Sequence, residues 1–145
     1  LKAALQNTNI ECGTDLIAAL SEKVDITLVA IVGMAALRPT LKAAEHSKIL
    51  ALASKEPIVA GGDLLKETAK KNNTKILPVD SEHNAIFQVS HAEDSVNIKK
   101  IILTASGGPF RTWDKQKMRT ATPEQALAHP NWSMGAKISI DSATM

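Results

Sequence analysis

The chain has 145 residues, of which 44% are apolar and 22% are charged, and its formal net charge is +2. This composition is typical of a folded globular protein and excludes a disordered tail. A nucleic-acid partner is not expected, because the charge provides no basic stripe and only two Phe and two Trp could stack on bases. A membrane partner is not expected either, since the uncharged apolar run 26–37 is well short of the about 20 residues that cross a bilayer.

Two further features concern the origin of the chain. The single cysteine, Cys12, cannot form an intrachain disulfide and is consistent with a reducing compartment. The chain begins at Leu1 rather than at Met and ends directly after an apolar stretch. We therefore interpret it as an internal segment of a longer protein.

The first half of the chain alternates between predicted helices and strands. In chain order these are a helix capped by Thr14, a strand over 26–32, a helix over 39–46, a strand over 49–53, a helix over 63–71 and a strand over 75–79. The strand over 26–32 is continuously apolar, which predicts burial on both faces. Strands that alternate with helices of this length are typical of βαβ units, so the predicted fold class is α/β with a parallel sheet.

The second half has a different pattern. A helix after Glu82 is followed by a fourth predicted strand over 98–104. Thr122 and Gln125 have the spacing of a capping box, with Pro123 in the first turn, and predict a short helix. Residues 129–135 read as a loop, because Pro, Asn, Ser and Gly interrupt any period. We predict a domain boundary at 79/80.

Small or ionisable residues follow each of the first three predicted strands. They are Gly33, residues 54–56 and residues 80–82. Ligands of open parallel sheets bind outside the carboxyl ends of the strands, so these residues indicate a site at that edge.

Asp80 and Glu82 allow two interpretations. Residues two apart in an extended segment project to the same side, so the two carboxylates could hold a hard divalent cation such as Mg²⁺ or Mn²⁺. Alternatively, Asp80 or Ser81 caps the next helix and Glu82 lies in its first turn. Spacing alone favours the cap. No His or Cys lies near enough in sequence to indicate zinc.

The remaining polar motifs are also ambiguous by themselves. Lys55 could bind a phosphate or a substrate oxygen, or pair with Glu56 in solvent. Ser106 precedes two glycines, which could let backbone N–H groups approach an anion or could form an ordinary turn. The loop from His129, which contains Trp132, could close over a ligand or pack back on the core.

Four segments together resemble the 1-deoxy-D-xylulose 5-phosphate reductoisomerase family. They are Leu-Ala-Ser-Lys-Glu at 52–56, Pro-Val-Asp-Ser-Glu-His at 78–83, Leu-Thr-Ala-Ser-Gly-Gly-Pro-Phe-Arg at 103–111, and His-Pro-Asn-Trp-Ser-Met-Gly at 129–135 followed by Lys-Ile-Ser-Ile-Asp-Ser-Ala-Thr-Met at 137–145. The resemblance extends from about Asp25 to the end of the chain.

The resemblance implies an enzyme of non-mevalonate isoprenoid synthesis that rearranges 1-deoxy-D-xylulose 5-phosphate and reduces the product with NADPH to 2-C-methyl-D-erythritol 4-phosphate. It implies the C-terminal part of a Rossmann-like NADPH domain over 1–79 and the start of an α+β catalytic domain over 80–145. It reverses the preference at Asp80 and Glu82, which become ligands of Mn²⁺, Mg²⁺ or Co²⁺. A homodimer in the bacterial cytoplasm or the plastid stroma is also implied.

The family pattern assigns further roles residue by residue. The implied catalytic residues are Lys55, Glu82 and His129. The implied substrate-binding residues are Lys55, Ser81, Glu82, Ser106, His129, Trp132, Met134 and Ser142, with Ser106, His129 and Ser142 at the phosphate and Trp132 and Met134 in a covering loop. The implied cofactor-binding residues are Ser54, Glu56 and Gly135.

The chain departs from the family pattern at three places. Ser54 replaces the usual Asn before Lys-Glu, and a hydroxyl offers fewer hydrogen-bond sites than an amide. Ala136 replaces a residue that is commonly basic. The family's Asn-Lys-Gly-x-Glu segment, which brings a third carboxylate ligand, would follow Met145. We therefore expect the intact enzyme to be active and the chain alone to have little or no activity.

Two other functions share the same residues. A metal-dependent phospho-sugar aldolase or isomerase would use Asp80, Glu82 and Ser106 without hydride transfer. A non-catalytic binding or dimerisation module would not need a complete set of metal ligands.

Overall fold

The computed structural model describes residues 2–90, 97–105 and 107–143 of the chain. These residues form two compact units, Leu1–Lys99 and Lys100–Met145. Within the described ranges, every helix is too short or too polar to cross a lipid bilayer.

The first unit contains a parallel sheet of three strands. They are β1 (Val24–Val29), β2 (Ser47–Leu52) and β3 (Lys75–Pro78), in the spatial order β1-β2-β3. Val29 is opposite Leu52, and Leu52 is opposite Pro78, so the three strands end together at one edge. The predicted α/β class and parallel sheet are confirmed.

Helices connect these strands in the predicted alternation. They are α1 (Leu16–Ala19), α2 (Leu37–His46), α3 (Glu56–Asn72) and α4 (Ser81–Ser90), with short 3-10 turns over Lys2–Leu5 and Gly33–Ala36. The predicted cap of α1 at Thr14 is wrong by one residue. Asp15 caps this helix, because its carboxylate accepts hydrogen bonds from the backbone N–H groups of Ile17 and Ala18.

Helix α3 begins earlier than the sequence pattern predicted. It starts at Glu56 with Pro57 in its first turn, and it is kinked at Gly61, whose φ of −146° and ψ of 30° are not helical. A Cβ at Gly61 would lie 3.0 Å from a methyl group of Leu37, so the kink brings α3 close to α2. The helix ends as predicted at the asparagine pair, with Asn73 in the left-handed conformation.

The core of the first unit lies between the sheet and the helices α2 and α3. Its buried members are Val29, Ala36, Ala43, Ala44, Leu50, Leu52 and Leu65. On the opposite face of β1, Ile26 and Leu28 are 62% and 60% exposed, so the predicted burial of this strand on both faces is not found. The reason is that the described helices cover only one face of β1.

The second unit contains three short helices, α5 (Lys115–Met118), α6 (Pro123–Leu127) and α7 (Ala136–Asp141). The predicted capping box at the start of α6 is confirmed, since Thr122 and Gln125 exchange side-chain to backbone hydrogen bonds. The predicted loop over 129–135 is confirmed as well. Helix α7, which begins after Gly135, was not predicted.

The fourth predicted strand, over 98–104, is wrong. These residues have no regular secondary structure, and Ile101, Ile102 and Leu103 are all exposed. A strand needs a hydrogen-bonded neighbour, and no strand of the described part of the chain pairs with this segment. Its β-branched residues are therefore not sufficient to form a strand.

Candidate active site at the ends of the strands

The segments that follow the three strands run side by side. The backbone N–H of Ala53 donates to Val29 O at 2.9 Å, and the N–H groups of Val79 and Asp80 donate to Leu52 O at 2.9 and 3.1 Å. The Ser54 hydroxyl donates to Ile31 O at 2.5 Å. These bonds extend the sheet pairing beyond its edge, so the expected convergence of the strand ends is present.

Lys55 lies between the two acidic residues at this edge. Its Nζ is 3.1 Å from Glu82 Oε2 and 3.4 Å from Asp80 Oδ2. The Asp80 side chain is only 9% exposed, whereas those of Lys55 and Glu82 are 44% and 40% exposed. The structure thus joins Lys55 to the acidic pair, although the sequence analysis considered Lys55 and that pair as separate motifs.

The charges of this cluster support one another. Hydrogen bonds from the Glu82 backbone N–H and from the Lys55 ammonium lower the pKa of the Glu82 carboxyl to about 2. Burial opposes the charge of the Lys55 ammonium, but its bond to Glu82 and the carboxylate charges raise the pKa of Lys55 above its usual range. Lys55 and Glu82 are therefore both ionised near neutral pH.

One oxygen of the cluster lacks a donor. Asp80 Oδ1 is buried and accepts no hydrogen bond from any residue in the described ranges. His83 Nδ1 is 3.5 Å from it, at a geometry that does not make a hydrogen bond. A buried carboxylate oxygen without a donor is costly unless a cation or a water satisfies it.

Helix α4 begins at this point without using Asp80 Oδ1 as a cap. The backbone carbonyl of Asp80 accepts the N–H of Asn84 at 2.8 Å, and the Asn84 side chain donates to Pro78 O at 2.8 Å. The Ser81 hydroxyl donates to Glu82 Oε2 at 3.2 Å. The buried oxygen of Asp80 is accordingly available for a ligand.

The sequence analysis gave His83 no role in the site, but this residue lies beside Asp80. The available signal was the spacing of three residues, which places Asp80 and His83 on the same side of the first turn of α4. Such a neighbour can orient a carboxylate that binds a metal. We therefore add His83 to the candidate site.

The two predicted cofactor residues of this unit flank Lys55. Ser54 is 7% exposed, and its hydroxyl hydrogen is used by Ile31 O, so toward a ligand it can act only as an acceptor. Glu56 lies half-buried in the first turn of α3. Both residues lie at the carboxyl edge of the sheet.

The predicted substrate residues of the second unit lie in the loop before α7 and at the end of that helix. His129 Nδ1 accepts the backbone N–H groups of Asn131 and Trp132 at 3.2 and 3.0 Å. A neutral imidazole that accepts at Nδ1 carries its proton on Nε2, which can donate to an oxygen. Trp132 is 62% exposed and Met134 is half-buried. Gly135 is the residue before the first turn of α7.

The end of α7 packs tightly against the glycine-rich segment. A Cβ at Gly108 would lie only 1.9 Å from Ser142 O and 2.6 Å from the Ala143 carbonyl atoms, and Phe110 N–H donates to Ala143 O at 2.8 Å. The Ser142 hydroxyl donates to Ile138 O at 2.9 Å. Ser106, the other predicted phosphate ligand, lies outside the described residues.

The residues at the strand ends suit a hard divalent cation. Asp80 and Glu82 offer carboxylate oxygens, one of them buried without a donor, and Mg²⁺ and Mn²⁺ prefer oxygen ligands. Among the residues that the structure describes, no group of three or more His, Cys, Asp or Glu could hold a metal. The pair would thus need water or further ligands to complete coordination.

Two family models match the chain. Residues 1–62 match the 1-deoxy-D-xylulose 5-phosphate reductoisomerase model, and residues 76–145 match the model of the 1-deoxy-D-xylulose 5-phosphate reductoisomerase C-terminal domain. The chain belongs to the 1-deoxy-D-xylulose 5-phosphate reductoisomerase family. The resemblance inferred from the four segments is thereby confirmed.

Individual relatives agree with this assignment. The chain is 53% identical over 148 residues to the 1-deoxy-D-xylulose 5-phosphate reductoisomerase of Caulobacter vibrioides, covering 100% of this chain and 37% of the relative. It is 55% identical over 128 residues to that of Bacillus subtilis, covering 88% of this chain and 33% of the relative. The chain therefore spans about a third of the length of these bacterial members of the family.

Solved structures of the family have the same fold in the matched part. The reductoisomerase of Zymomonas mobilis in complex with NADPH is 46% identical, with a TM-score of 0.77, and the match covers 99% of this chain and 37% of that one. A reductoisomerase in complex with NADPH, fosmidomycin and magnesium is 49% identical, with a TM-score of 0.76, and the match covers 88% of this chain and 34% of that one.

Proposed function

We propose that the intact enzyme containing this chain converts 1-deoxy-D-xylulose 5-phosphate to 2-C-methyl-D-erythritol 4-phosphate with NADPH as the reductant. The observation that carries the proposal is the cluster of Lys55, Asp80 and Glu82 at the ends of the strands, in a chain of the reductoisomerase family. The cluster offers one cationic and two anionic groups to a ligand at the edge where parallel sheets bind ligands.

Asp80 and Glu82 would hold the divalent ion, which is Mg²⁺, Mn²⁺ or Co²⁺. This assignment is supported by the buried Asp80 Oδ1, which accepts no hydrogen bond from the described residues. A divalent ion bound there would supply Lewis-acid polarisation of the substrate oxygens. His83, 3.5 Å from the same oxygen, would orient the Asp80 carboxylate.

The remaining groups would bind and orient the sugar phosphate. Lys55 would donate to a substrate oxygen, and Ser81 and Glu82 would bind its hydroxyl groups. His129 would donate from Nε2 to the phosphate, because its Nδ1 already accepts two backbone N–H groups. Ser106 and Ser142 would complete the phosphate site, and Trp132 and Met134 would cover the substrate and exclude water.

NADPH would lie against Ser54, Glu56 and Gly135. Gly135 has an extended backbone and no side chain, and apart from its chain neighbours no atom of the described residues lies within 4 Å of the position of a Cβ there, so a ligand could approach its backbone closely. NADPH would supply the hydride, and each of these residues would contribute a contact to the cofactor.

The functional boundary would fall at 79/80, with the NADPH domain before it and the catalytic domain after it. The match to the C-terminal domain model begins at residue 76, which supports a division in this region. We further propose that the intact enzyme is a homodimer of the bacterial cytoplasm, and that the 145-residue chain alone turns over little or no substrate.

The proposal is tested on the intact enzyme with 1-deoxy-D-xylulose 5-phosphate, NADPH and Mn²⁺. We expect one NADPH to be oxidised for each product formed. Mutation of a residue that only orients a metal ligand typically lowers metal affinity by about 10- to 100-fold. Asp80→Asn changes a ligand itself, so we expect it to weaken Mn²⁺ binding by about 100-fold or more. Asp63→Asn is the matched control, because Asp63 forms an exposed ion pair on α3.

Three results would overturn the proposal. Turnover without nicotinamide would indicate an aldolase or isomerase, and binding without turnover would indicate a non-catalytic module. Equal Mn²⁺ affinity in the natural enzyme and Asp80→Asn would remove the metal role of Asp80.

A further inference from the structure

The Lys55 ammonium occupies the position between the two proposed metal ligands. It is 3.4 Å from Asp80 Oδ2 and 3.1 Å from Glu82 Oε2. Carboxylate oxygens that converge on one cation at such distances can converge on a different cation at the same place. The ammonium thus acts as the counter-ion of the acidic pair.

Lys55 satisfies this pair only in part. Two carboxylates against one ammonium leave one net negative charge, and Asp80 Oδ1 accepts no hydrogen bond from the described residues. A divalent ion in the same place would neutralise both carboxylates and could also contact the second Asp80 oxygen. The ion therefore fits the cluster better than the ammonium does.

Lys55 can leave this position at little cost. Its side chain is 44% exposed and ends a flexible four-carbon chain, so the ammonium can be rehydrated when its partners are taken. Asp80 is held more firmly, since its side chain is only 9% exposed and its backbone joins β3 to α4. A competition at this site would move Lys55 and leave Asp80 in place.

We propose that Lys55 is a built-in competitor of the divalent ion, which must displace the Lys55 ammonium from Asp80 and Glu82 in order to bind. The inference rests on the proposed metal role of these two residues. It adds that metal loading releases the Lys55 ammonium for a second anion, such as an oxygen of the sugar phosphate. Metal binding and substrate binding are then coupled through one side chain.

The test is a Mn²⁺ titration of the intact enzyme without substrate, in which the signal of unbound Mn²⁺ is followed by electron paramagnetic resonance. Lys55→Met keeps most of the side-chain length and removes the charge. We expect this variant to bind Mn²⁺ about fivefold more tightly, because it lacks the half-exposed ion pair that competes with the metal. Lys55→Arg retains the charge, so its affinity should be equal to or weaker than that of the natural enzyme.

A matched control is Lys48→Met. Lys48 pairs with Asp25 at 2.7 Å, with both side chains about 80% exposed, and within the described residues it forms no ion pair with Asp80 or Glu82. We expect no change in its Mn²⁺ affinity. Thermal unfolding gives a second readout, because the same Mn²⁺ concentration should stabilise Lys55→Met more than the natural enzyme.

The outcomes separate this inference from the proposed function. If the natural enzyme and Asp80→Asn bind Mn²⁺ alike, the metal site itself is wrong. If Asp80→Asn loses binding but Lys55→Met binds no more tightly than the natural enzyme, the metal site stands and the competition is refuted. Tighter binding in Lys55→Met, with no gain in Lys55→Arg or Lys48→Met, supports the competition.

Discussion

The ammonium of Lys55 donates to Glu82 Oε2 at 3.1 Å, although 27 positions separate the two residues in the sequence. The contact joins the segment after β2 to the first turn of α4. It exists because parallel pairing brings Leu52 beside Pro78, so the residues that follow both strands leave the sheet at the same edge. The candidate site is therefore a product of the sheet register.

The acidic member of this pair should make stability depend on pH. Its folded pKa of about 2 lies below the usual 4.5, so ionised Glu82 stabilises the fold fully above about pH 4.5, and this contribution is lost as the pH falls toward 2. We expect Glu82→Gln to reduce the loss of stability over that range. Denaturation midpoints measured from neutral to acid pH would check this, with the exposed Glu67→Gln as the control. Equal pH dependence in all three proteins would contradict it.

A methyl group at Gly108 should disturb the end of α7. Its Cβ would lie 1.9 Å from Ser142 O, so the backbone of one segment must move. We expect Gly108→Ala to lower the free energy of unfolding by about 2 kcal/mol or more. We also expect weaker binding of the sugar phosphate, measured as a higher KM, because Ser142 moves.

Gly13→Ala provides the comparison for this prediction. In the described part of the chain, a Cβ at Gly13 would meet no atom within 4 Å beyond those of its chain neighbours, so the substitution should leave both stability and KM nearly unchanged. A Gly108→Ala enzyme with natural stability and KM would show that the close approach to Ser142 is not needed.

The capping box of α6 should determine the local order of that helix. Thr122 accepts the N–H of Gln125, and Gln125 in return accepts the N–H of Thr122. We expect Thr122→Ala to cost about 1 kcal/mol of local stability. Faster hydrogen exchange of the α6 amides would reveal this loss. Ser133→Ala, in an exposed part of the following loop, should leave the exchange of α6 unchanged.

The neutral imidazole of His129 should carry its proton on Nε2. Its Nδ1 accepts two backbone N–H groups, at 3.2 and 3.0 Å, and an N–H at that position would face both donors. Nitrogen-15 NMR of the histidine side chains distinguishes the two tautomers directly. A proton found on Nδ1 would contradict both the loop geometry and the proposed donation to the phosphate.

Features that depend on neighbours in the chain were predictable from the sequence. The alternation of strands and helices, the capping box at Thr122 and the end of α3 at Asn73 all follow from local periodicity and from backbone preferences. The four motif segments were sufficient to recognise the family. The polar residues after each strand also predicted that the segments following the strands would meet at one edge of the sheet, because parallel strands end on one side.

Features that depend on distant partners required the tertiary structure. Residues 98–104 have strand-like composition but no paired neighbour in the described part of the chain, and Ile26 and Leu28 are exposed because α2 and α3 cover only the other face of β1. The pairing of Lys55 with Asp80 and Glu82 and the close approach of Gly108 to Ser142 were likewise invisible in the sequence pattern. Local sequence sets the backbone preferences of each element, but only the packing of separate elements determines which side chains meet.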